Sequence, residues 1–462
     1  MPRTIFANDD LLDYLTSLAN PTGYTIGLIL GQSCEQKDFV IHLARTSQPS
    51  KKDVIEESVL GSSLNVSQES FTSIKSIKDI PGSWVADHAK HVTRMLPGGM
   101  WVLGIFTVGP EDVFTTNASV EKLKAILSSV EKNLIANPHL YGNHEEESLL
   151  LHFNSLTKKY ICKSMDAKNF LKPVDWKFQS NSTFTKWHHL ETLVDFDRVF
   201  PISRLKTPNP LKKQLQDILS ETTNMINSSL VVIEGELRSD DAAVETIGKQ
   251  LSKEKKTEKE SSGDNESEKK ILQVGIYIPC QKNFDMQTIE CTGSMRLVGQ
   301  LVSRTFVHQK ATIEEAVNAV KQDILRSLAS RLEMHWDSLI EEEDGSPEET
   351  ITLHEPPRRV LIQLPRNKVS LSDYLFPGEG TQESLLSLRE LLDIKVQECN
   401  INKDLELQVD PSEFYCQSAD TRTSDTASIQ KNIIGKKNIF LFITGFSFAL
   451  LILIVAIIFN RA

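Results

Sequence analysis

The sequence predicts an α/β (α+β) protein with two domains and a single C-terminal transmembrane helix. The domains are expected at residues 1–140 and 147–400. Short apolar runs bounded by turn residues, typical of buried strands, alternate with longer segments whose apolar residues recur at the helical period. An uncharged apolar run near the carboxyl end, residues 439–459, predicts the transmembrane helix.

Residues 1–140 contain three predicted strands and two predicted amphipathic helices. The strands cover residues 24–31, 39–43 and 100–108, and the helices cover residues 83–96 and 120–135. The first helix repeats apolar residues at helical spacing, and we expect it to end before Pro97, Gly98 and Gly99, which predict a turn.

Residues 147–400 combine short apolar runs with one long helical pattern. Strands are expected at residues 149–153, 230–237, 271–278, 294–306 and 359–364. The helix is expected at residues 312–340, where Thr312 and Glu315 match a capping box. Residues 247–270 are charged and almost devoid of apolar side chains, which predicts a disordered loop. Strands on both sides favour one domain carrying this loop as an insertion, with two separate domains as the alternative.

The carboxyl end predicts a tail anchor. Residues 401–437 are expected to form a flexible tether to the apolar run, which would span roughly 31 Å as a helix and so matches a bilayer core. Lys431, Lys436 and Lys437 precede the run and only Arg461 follows it, which places the N-terminal body in the cytosol. The amino terminus shows no secretory signal. These features favour a single-pass endoplasmic reticulum membrane protein over one of the mitochondrial outer membrane.

Composition narrows the classes of partner. The net charge of −11 argues against nucleic acid, because phosphate binding needs a basic surface. The six cysteines show no CxxC spacing and fit reduced thiols in a cytosolic body.

A search for catalytic and metal-binding motifs assigns no catalytic, cofactor-binding or metal-binding residue. Asp87, His88 and His91 share one predicted helix, but a zinc site needs further ligands, and we interpret them as polar positions on a solvated face. His188 and His189 are adjacent and therefore diverge. The sequence has no GxSxG elbow, phosphate loop, GxGxxG motif or local cysteine-protease signature.

The first block nevertheless resembles a known fold. The segments IGLILG, RMLPGG and MWVLGIFTVGP resemble the core of the MPN domain, the fold of the JAMM metalloproteases. The resemblance implies a glutamate three residues before the glycine of the first strand, two histidines that bind zinc at the end of a later strand, and a serine and an aspartate further on. In this chain the corresponding positions hold Tyr24, Thr107 and Gly109, then Pro110, with Asn117 and Val120 in the downstream serine and aspartate positions. Since these residues cannot form a three-ligand zinc site, the resemblance implies a non-catalytic scaffold.

Over its whole length the chain resembles the Odr-four family. The shared features are the MPN-like block, the segments RVLIQLP at residues 359–365 and DYLFPGE at residues 373–379, and the terminal anchor. The resemblance implies an endoplasmic reticulum membrane protein that helps G-protein-coupled receptors such as odorant receptors mature and traffic. It also implies that the protein recruits the cysteine protease specific for ubiquitin-fold modifier one.

Three hypotheses follow for the function. The leading one is a non-enzymatic, membrane-tethered adaptor that contacts the lipid bilayer through residues 439–459. The second is a divergent membrane-tethered metallo-isopeptidase, which stoichiometric zinc with peptidase activity would support. The third is a SNARE-like fusion protein, but residues 401–437 lack the heptads that such a protein needs directly before the membrane.

Overall fold

The chain divides into two units, Met1–Gln408 and Val409–Ala462. A computed structural model describes residues 3–34, 37–47, 74–141, 147–180, 187–203, 211–247, 271–279, 291–339, 352–364 and 369–406. All of them lie in the first unit.

The amino-terminal half forms a closed, seven-stranded sheet. Its strands are β1 (Thr4–Asn8), β2 (Thr25–Cys34), β3 (Lys37–Arg45), β4 (Trp101–Gly109), β5 (Ser148–Asn154), β6 (Tyr160–Met165) and β7 (Leu171–Gln179). They follow the order β1-β3-β2-β4-β5-β6-β7, and parallel pairing of β1 with β7 closes the sheet. The helices are α1 (Asp9–Ser17), α2 (Gly82–Met95), α3 (Asn117–Ile135) and α4 (Pro138–Tyr141). The strands and helices predicted for this half are present, with ends shifted by a few residues.

This sheet continues past the domain boundary predicted between residues 140 and 147. Strand β4 pairs in parallel with β5, with Gly104 opposite Leu149. Leu149, Leu150 and Leu151 are all fully buried, as expected for a strand covered on both faces. Such an apolar run predicts a strand but does not say which strand it pairs with. Residues 148–179 therefore belong to the sheet of the amino-terminal half.

A second sheet lies in the carboxyl-terminal half. Its strands are β8 (Trp187–Ser203), β9 (Leu230–Ile233), β10 (Ile271–Tyr277), β11 (Cys291–His308) and β12 (Thr352–His354), in the order β12-β11-β8-β10-β9. Strands β9 and β10 are antiparallel partners. The strands on either side of the charged insertion thus belong to one sheet, as predicted, while residues 248–270 lie outside the described residues.

Two helices, α5 (Leu211–Ser228) and α6 (Ile313–Ser338), pack on this second sheet through one buried apolar cluster. The predicted capping box begins α6. The Glu315 amide donates to Oγ1 of Thr312 at 3.2 Å, and the Thr312 amide donates to Oε2 of Glu315 at 3.0 Å. This exchange satisfies two amides that would otherwise lack partners in the first turn.

The remaining strands form a small third sheet of β13 (Arg358–Gln363), β14 (Ser370–Leu375) and β15 (Ile401–Asn402), accompanied by α7 (Thr381–Leu392). Strand β15 and the buried Glu406, which is 2% exposed, fall where the tether was expected to begin. The prediction of a flexible segment from residue 401 is therefore wrong for residues 401–406, because Ile401 and Glu406 are buried and hold this stretch to the core.

The rest of the predicted tether and the predicted transmembrane segment, residues 439–459, lie outside the described residues. Within the part of the chain that the structure describes, no helix is both long and apolar enough to cross a membrane.

Candidate functional site

The first two positions that correspond to metal ligands meet where β2 and β4 pair. Thr25 lies opposite Val108, so Tyr24 falls beside Gly109. The contact is so close that a Cβ atom on Gly109 would lie 2.2 Å from Cδ1 of the Tyr24 ring. An aromatic ring thus packs directly on the glycine at which the resemblance would place a histidine, and only glycine leaves room for it.

The third position holds Thr107, whose side chain is hydrogen-bonded to a residue outside this set. Its Oγ1 and Nδ1 of His152 on β5 are hydrogen-bonded at 3.0 Å. Thr107 is 0% exposed and His152 is 1% exposed. Burial lowers the pKa of His152 to about 4, although the negative charge of Asp112 opposes this shift. His152 is therefore neutral at neutral pH.

A hydroxyl beside an imidazole is the arrangement of an activated nucleophile. Here both groups are enclosed. The Phe114 ring stands edge-on to the His152 ring with centroids 6.5 Å apart, and the Lys163 ammonium lies 4.3 Å from the centroid of Phe114. These side chains cover the pair, so a substrate carbonyl has no route to Thr107 in this arrangement.

The residues at the site do not fit a zinc ion. The pKa of Tyr24 is raised by burial and by the charge of Glu111, so its phenol stays protonated. Gly109 offers no side chain, and Asn117 and Val120 lie in the first turn of α3, where no described hydrogen bond joins them to Tyr24 or Thr107. Across the described ranges, no group of three or more His, Cys, Asp and Glu side chains could hold a metal ion.

The histidines considered for a metal site have structural contacts. His88 was expected on a solvated face, but it is buried, with Nδ1 2.9 Å from Oγ1 of Thr46 and Nε2 2.7 Å from the Leu391 carbonyl oxygen. Burial lowers its pKa to about 4. The expectation is wrong because residue 88 follows Val85 by three positions and so shares the buried face of α2. His91 is exposed.

A second polar cluster joins the segments that carry the family resemblance. Arg359, the first residue of RVLIQLP, forms a two-pronged ion pair with Asp323 of α6 at 2.7 and 2.9 Å. Both side chains are almost completely buried, at 2% and 0% exposed. Arg359 also donates to Oγ of Ser372 at 2.7 Å and to the Val302 carbonyl at 3.0 Å. The ion pair therefore connects the second and third sheets.

Glu406 adds a second buried ion pair at the end of the described chain. One carboxylate oxygen accepts from Nη2 of Arg331 at 2.6 Å and from the Val302 amide at 2.8 Å. The other accepts from the Arg359 amide at 2.7 Å. The last described residue is thus held by three donors, from β11, β13 and α6. We call the four side chains Asp323, Arg331, Arg359 and Glu406 the ion-pair network.

The segment RMLPGG reaches the same helix. Arg326 of α6 donates to the carbonyl oxygens of Leu96 at 3.2 Å and Pro97 at 3.1 Å. The Gly98 amide donates to the Arg304 carbonyl of β11 at 3.0 Å, and a Cβ atom on Gly98 would lie 2.3 Å from Oγ1 of Thr305. Glycine is needed here because the loop of the first sheet approaches the backbone of the second.

The segment DYLFPGE forms the strand and Pro-Gly turn that its sequence suggests. Strand β14 ends at Leu375, Gly378 adopts a φ of +88°, and the Phe376 amide donates to Oε2 of Glu379 at 2.7 Å. Burial raises the pKa of Asp373 in this segment to about 6.

Sequence reasoning missed the buried charges of α6, Asp323, Arg326 and Arg331. They could have been found as charged residues that lie between the apolar positions of that helix. The fold is that of an α/β protein, and packing side chains occupy the positions to which the sequence resemblance assigned metal ligands.

Comparison with known proteins identifies the family. The chain belongs to the Odorant response abnormal 4-like (ODR4-like) family, whose model matches residues 27–403. It is 28% identical over 444 residues to the Homo sapiens "Protein odr-4 homolog", covering 92% of this chain and 91% of that protein. It is 23% identical over 397 residues to the Caenorhabditis elegans "Odorant response abnormal protein 4", covering 84% and 76% of the two chains.

Among solved structures, the chain is similar to UfSP from C. elegans, with a TM-score of 0.40 and 8% sequence identity over 85% of this chain and 57% of that chain. The two chains are distant in structure as well as in sequence.

Proposed function

We propose that this protein is a non-enzymatic adaptor of the endoplasmic reticulum membrane. Residues 439–459 span the bilayer and the body, Met1–Gln408, faces the cytosol. The body binds a cytosolic partner, the cysteine protease specific for ubiquitin-fold modifier one, and holds it near membrane clients. These clients are G-protein-coupled receptors such as odorant receptors, whose maturation and trafficking the protein assists.

The observation that carries this proposal is the way the body ends. Glu406 is locked into the core by Arg331 and two backbone amides, two residues before the first unit ends at Gln408. Residues 407–438 separate Glu406 from the apolar run of residues 439–459. A body joined through such a segment to a membrane helix keeps its bound partner near the bilayer, which raises the partner's effective concentration there.

Two further observations support an adaptor over an enzyme. The ligand positions of the MPN-like block are filled by the Tyr24 ring and the buried Thr107–His152 pair. The family relative from C. elegans is named for an abnormal odorant response, which supports a role in odorant receptor function.

Deletion of residues 438–462 tests the proposal. We expect the truncated protein and its bound protease to move together from the membrane fraction to the cytosol, while their complex survives immunoprecipitation. A control that replaces residues 439–459 with an unrelated endoplasmic reticulum tail anchor should restore the protease to membranes. If the protease stays on membranes without the anchor, the protein does not tether it.

The proposed membrane orientation is tested separately. Protease added outside intact microsomes should digest the body, and Asn65, which lies in a glycosylation sequon, should carry no sugar. A protected body or a glycosylated Asn65 would place the body in the lumen and overturn the adaptor model.

A further inference from the structure

A groove of about 520 Å³ lies between three helices of the body. Its walls come from α5, the last turns of α6, and the segment that contains α4. This volume is in the range of about 300–1,000 Å³ that ligand-binding clefts commonly have. It is separate from both the Thr107–His152 pair and the ion-pair network.

The floor of the groove is apolar. Leu215 of α5 and Leu332 of α6 are 3% and 4% exposed and belong to the core of the second sheet. Leu219 and Trp336 pack against the same core but remain half-buried. Their open faces can therefore accept apolar side chains of another chain, and a half-buried tryptophan is a common anchor in such contacts.

The rim of the groove is basic, although the whole chain has a net charge of −11. The Lys212 ammonium lies 5.9 Å from the centroid of the Trp336 ring, and no carboxylate pairs with it among the described residues. Lys213 is exposed and lies 2.7 Å from Asp217. The first turn of α5 contains no acidic residue, so the positive end of that helix adds to the lysine charges.

The one acidic residue that lines the groove, Glu333, is already neutralised. Its two carboxylate oxygens lie 2.6 Å from Nζ of Lys90 and 2.6 Å from Nη2 of Arg94, both on α2. His139, on the opposite wall, has a pKa lowered by burial and is neutral at neutral pH. The unpaired side-chain charge available to a bound segment in the described part of the groove is therefore that of Lys212, and Lys213 beside it is paired with Asp217.

We propose that this groove binds a short acidic, amphipathic segment of a partner protein. Apolar side chains of the segment pack on Leu219 and Trp336, while its carboxylates approach Lys212 and Lys213 at the start of α5. The proposal rests on the proposed function, in that the body binds a protein, and it names the chemistry of one binding surface.

Fluorescence anisotropy of a labelled peptide with the purified full-length chain in detergent micelles provides the test. The probe is an acidic peptide of about twelve residues with Leu and Phe on one helical face and Glu on the other. A peptide with Lys in place of every Glu is its counterpart. We expect the acidic peptide to bind with a dissociation constant below about 100 μM and the basic peptide to bind at least about tenfold more weakly.

Two variants probe the two halves of the surface. The exposed pair K212E/K213E should weaken binding at least about tenfold. Trp336→Ala should weaken it at least about fivefold, since it removes the apolar anchor. The control K168E/K403E makes the same charge change at two exposed lysines outside the groove and should leave affinity within about twofold.

Three outcomes would overturn the proposal. They are no binding of the acidic peptide, equal weakening by the control pair, or full affinity in both Trp336→Ala and K212E/K213E. None of them affects the release of protease from membranes on deletion of residues 438–462, so failure of the groove and failure of the adaptor role are distinguishable.

Discussion

Two buried polar clusters of this protein differ in charge and in how completely their hydrogen bonds are made. In the ion-pair network, Arg359 and Asp323 are two-pronged partners and Glu406 accepts three donors. In the Thr107–His152 pair both groups are neutral, and Nε2 of His152 has no hydrogen-bond partner among the described residues. The first cluster holds three segments of the fold together, whereas the second fills a position that carries catalytic ligands in proteins the block resembles.

This difference indicates which of the two clusters tolerates side-chain substitution. A buried charge needs its partner, because an unpaired charge in the core costs several kcal/mol. A buried neutral group with a missing bond costs about 1–3 kcal/mol, and replacing both members of a neutral pair by apolar groups of the same shape adds little further cost.

The largest expected effect comes from breaking the Asp323–Arg359 pair. Asp323→Leu leaves the Arg359 guanidinium unpaired in the core and should lower the free energy of unfolding by about 3–5 kcal/mol. Urea denaturation followed by circular dichroism measures this loss. The double variant D323L/R359M should recover part of it, since no lone charge remains. A loss below about 1 kcal/mol for Asp323→Leu would show that the pair does not hold the sheets together.

Glu406→Gln should have a smaller effect, a loss of about 2 kcal/mol, because the amide oxygen still accepts a hydrogen bond but the charge that pairs with Arg331 is gone. The end of the body should then open more often. Limited proteolysis should cut after β15 sooner in this variant than in the wild type. Unchanged proteolysis would mean that Glu406 does not fasten the end of the body.

Gly109→Ala should lower the free energy of unfolding by about 1–3 kcal/mol, because the new Cβ atom overlaps the Tyr24 ring. The matched control is Tyr24→Ala in the same background. That second change removes the ring, so the double variant should lose less stability than the sum of the two single variants. Simple additivity would contradict the close contact.

At neutral pH the smallest effect is expected at His152, whose contribution appears only as the pH falls. Its pKa is lowered in the folded state to about 4, so the unfolded chain binds the proton more readily. Stability is fully present above the unfolded pKa of about 6.5 and decreases as the pH falls toward 4, by at most about 1.4 kcal/mol per pH unit for this residue.

The variant His152→Leu should flatten this acid-side slope in denaturation curves measured between about pH 6.5 and 4.5. His88→Leu is the comparison. It should flatten the slope similarly but cost more stability at pH 7, since it leaves the Thr46 hydroxyl and the Leu391 carbonyl without a bond. An unchanged slope in His152→Leu would show that His152 is not neutral in the fold.

The sequence predicts much of the secondary structure for a simple physical reason. Apolar periodicity reports burial, and it correctly places β2, β4, α2 and α6, including the capping box of α6. It reports nothing about which strand pairs with which. Strand β7, read as LKPVDWKFQ, is polar and contains Pro173, so neither it nor the closure of the sheet with β1 is predicted.

The candidate site, like the fold, is predicted by the sequence only in part. That Tyr24, Thr107 and Gly109 correspond to metal-ligand positions is a prediction that rests on the sequence resemblance alone. The sequence does not predict the hydrogen-bond partner of Thr107. His152 is distant in sequence and becomes its neighbour only through the pairing of β4 with β5. The sequence does not predict the ion-pair network either, since Asp323 and Arg359 meet only once the second and third sheets have packed together.

The pairing of β9 with β10 has a practical consequence. Ile247 and Leu272, on either side of residues 248–270, are each 2% exposed and belong to the same apolar cluster. The free energy of closing a loop rises only slowly with its length. A fluorescent protein inserted among residues 248–270 should therefore leave the body folded, which would allow the protein to be followed in living cells without a label at either terminus.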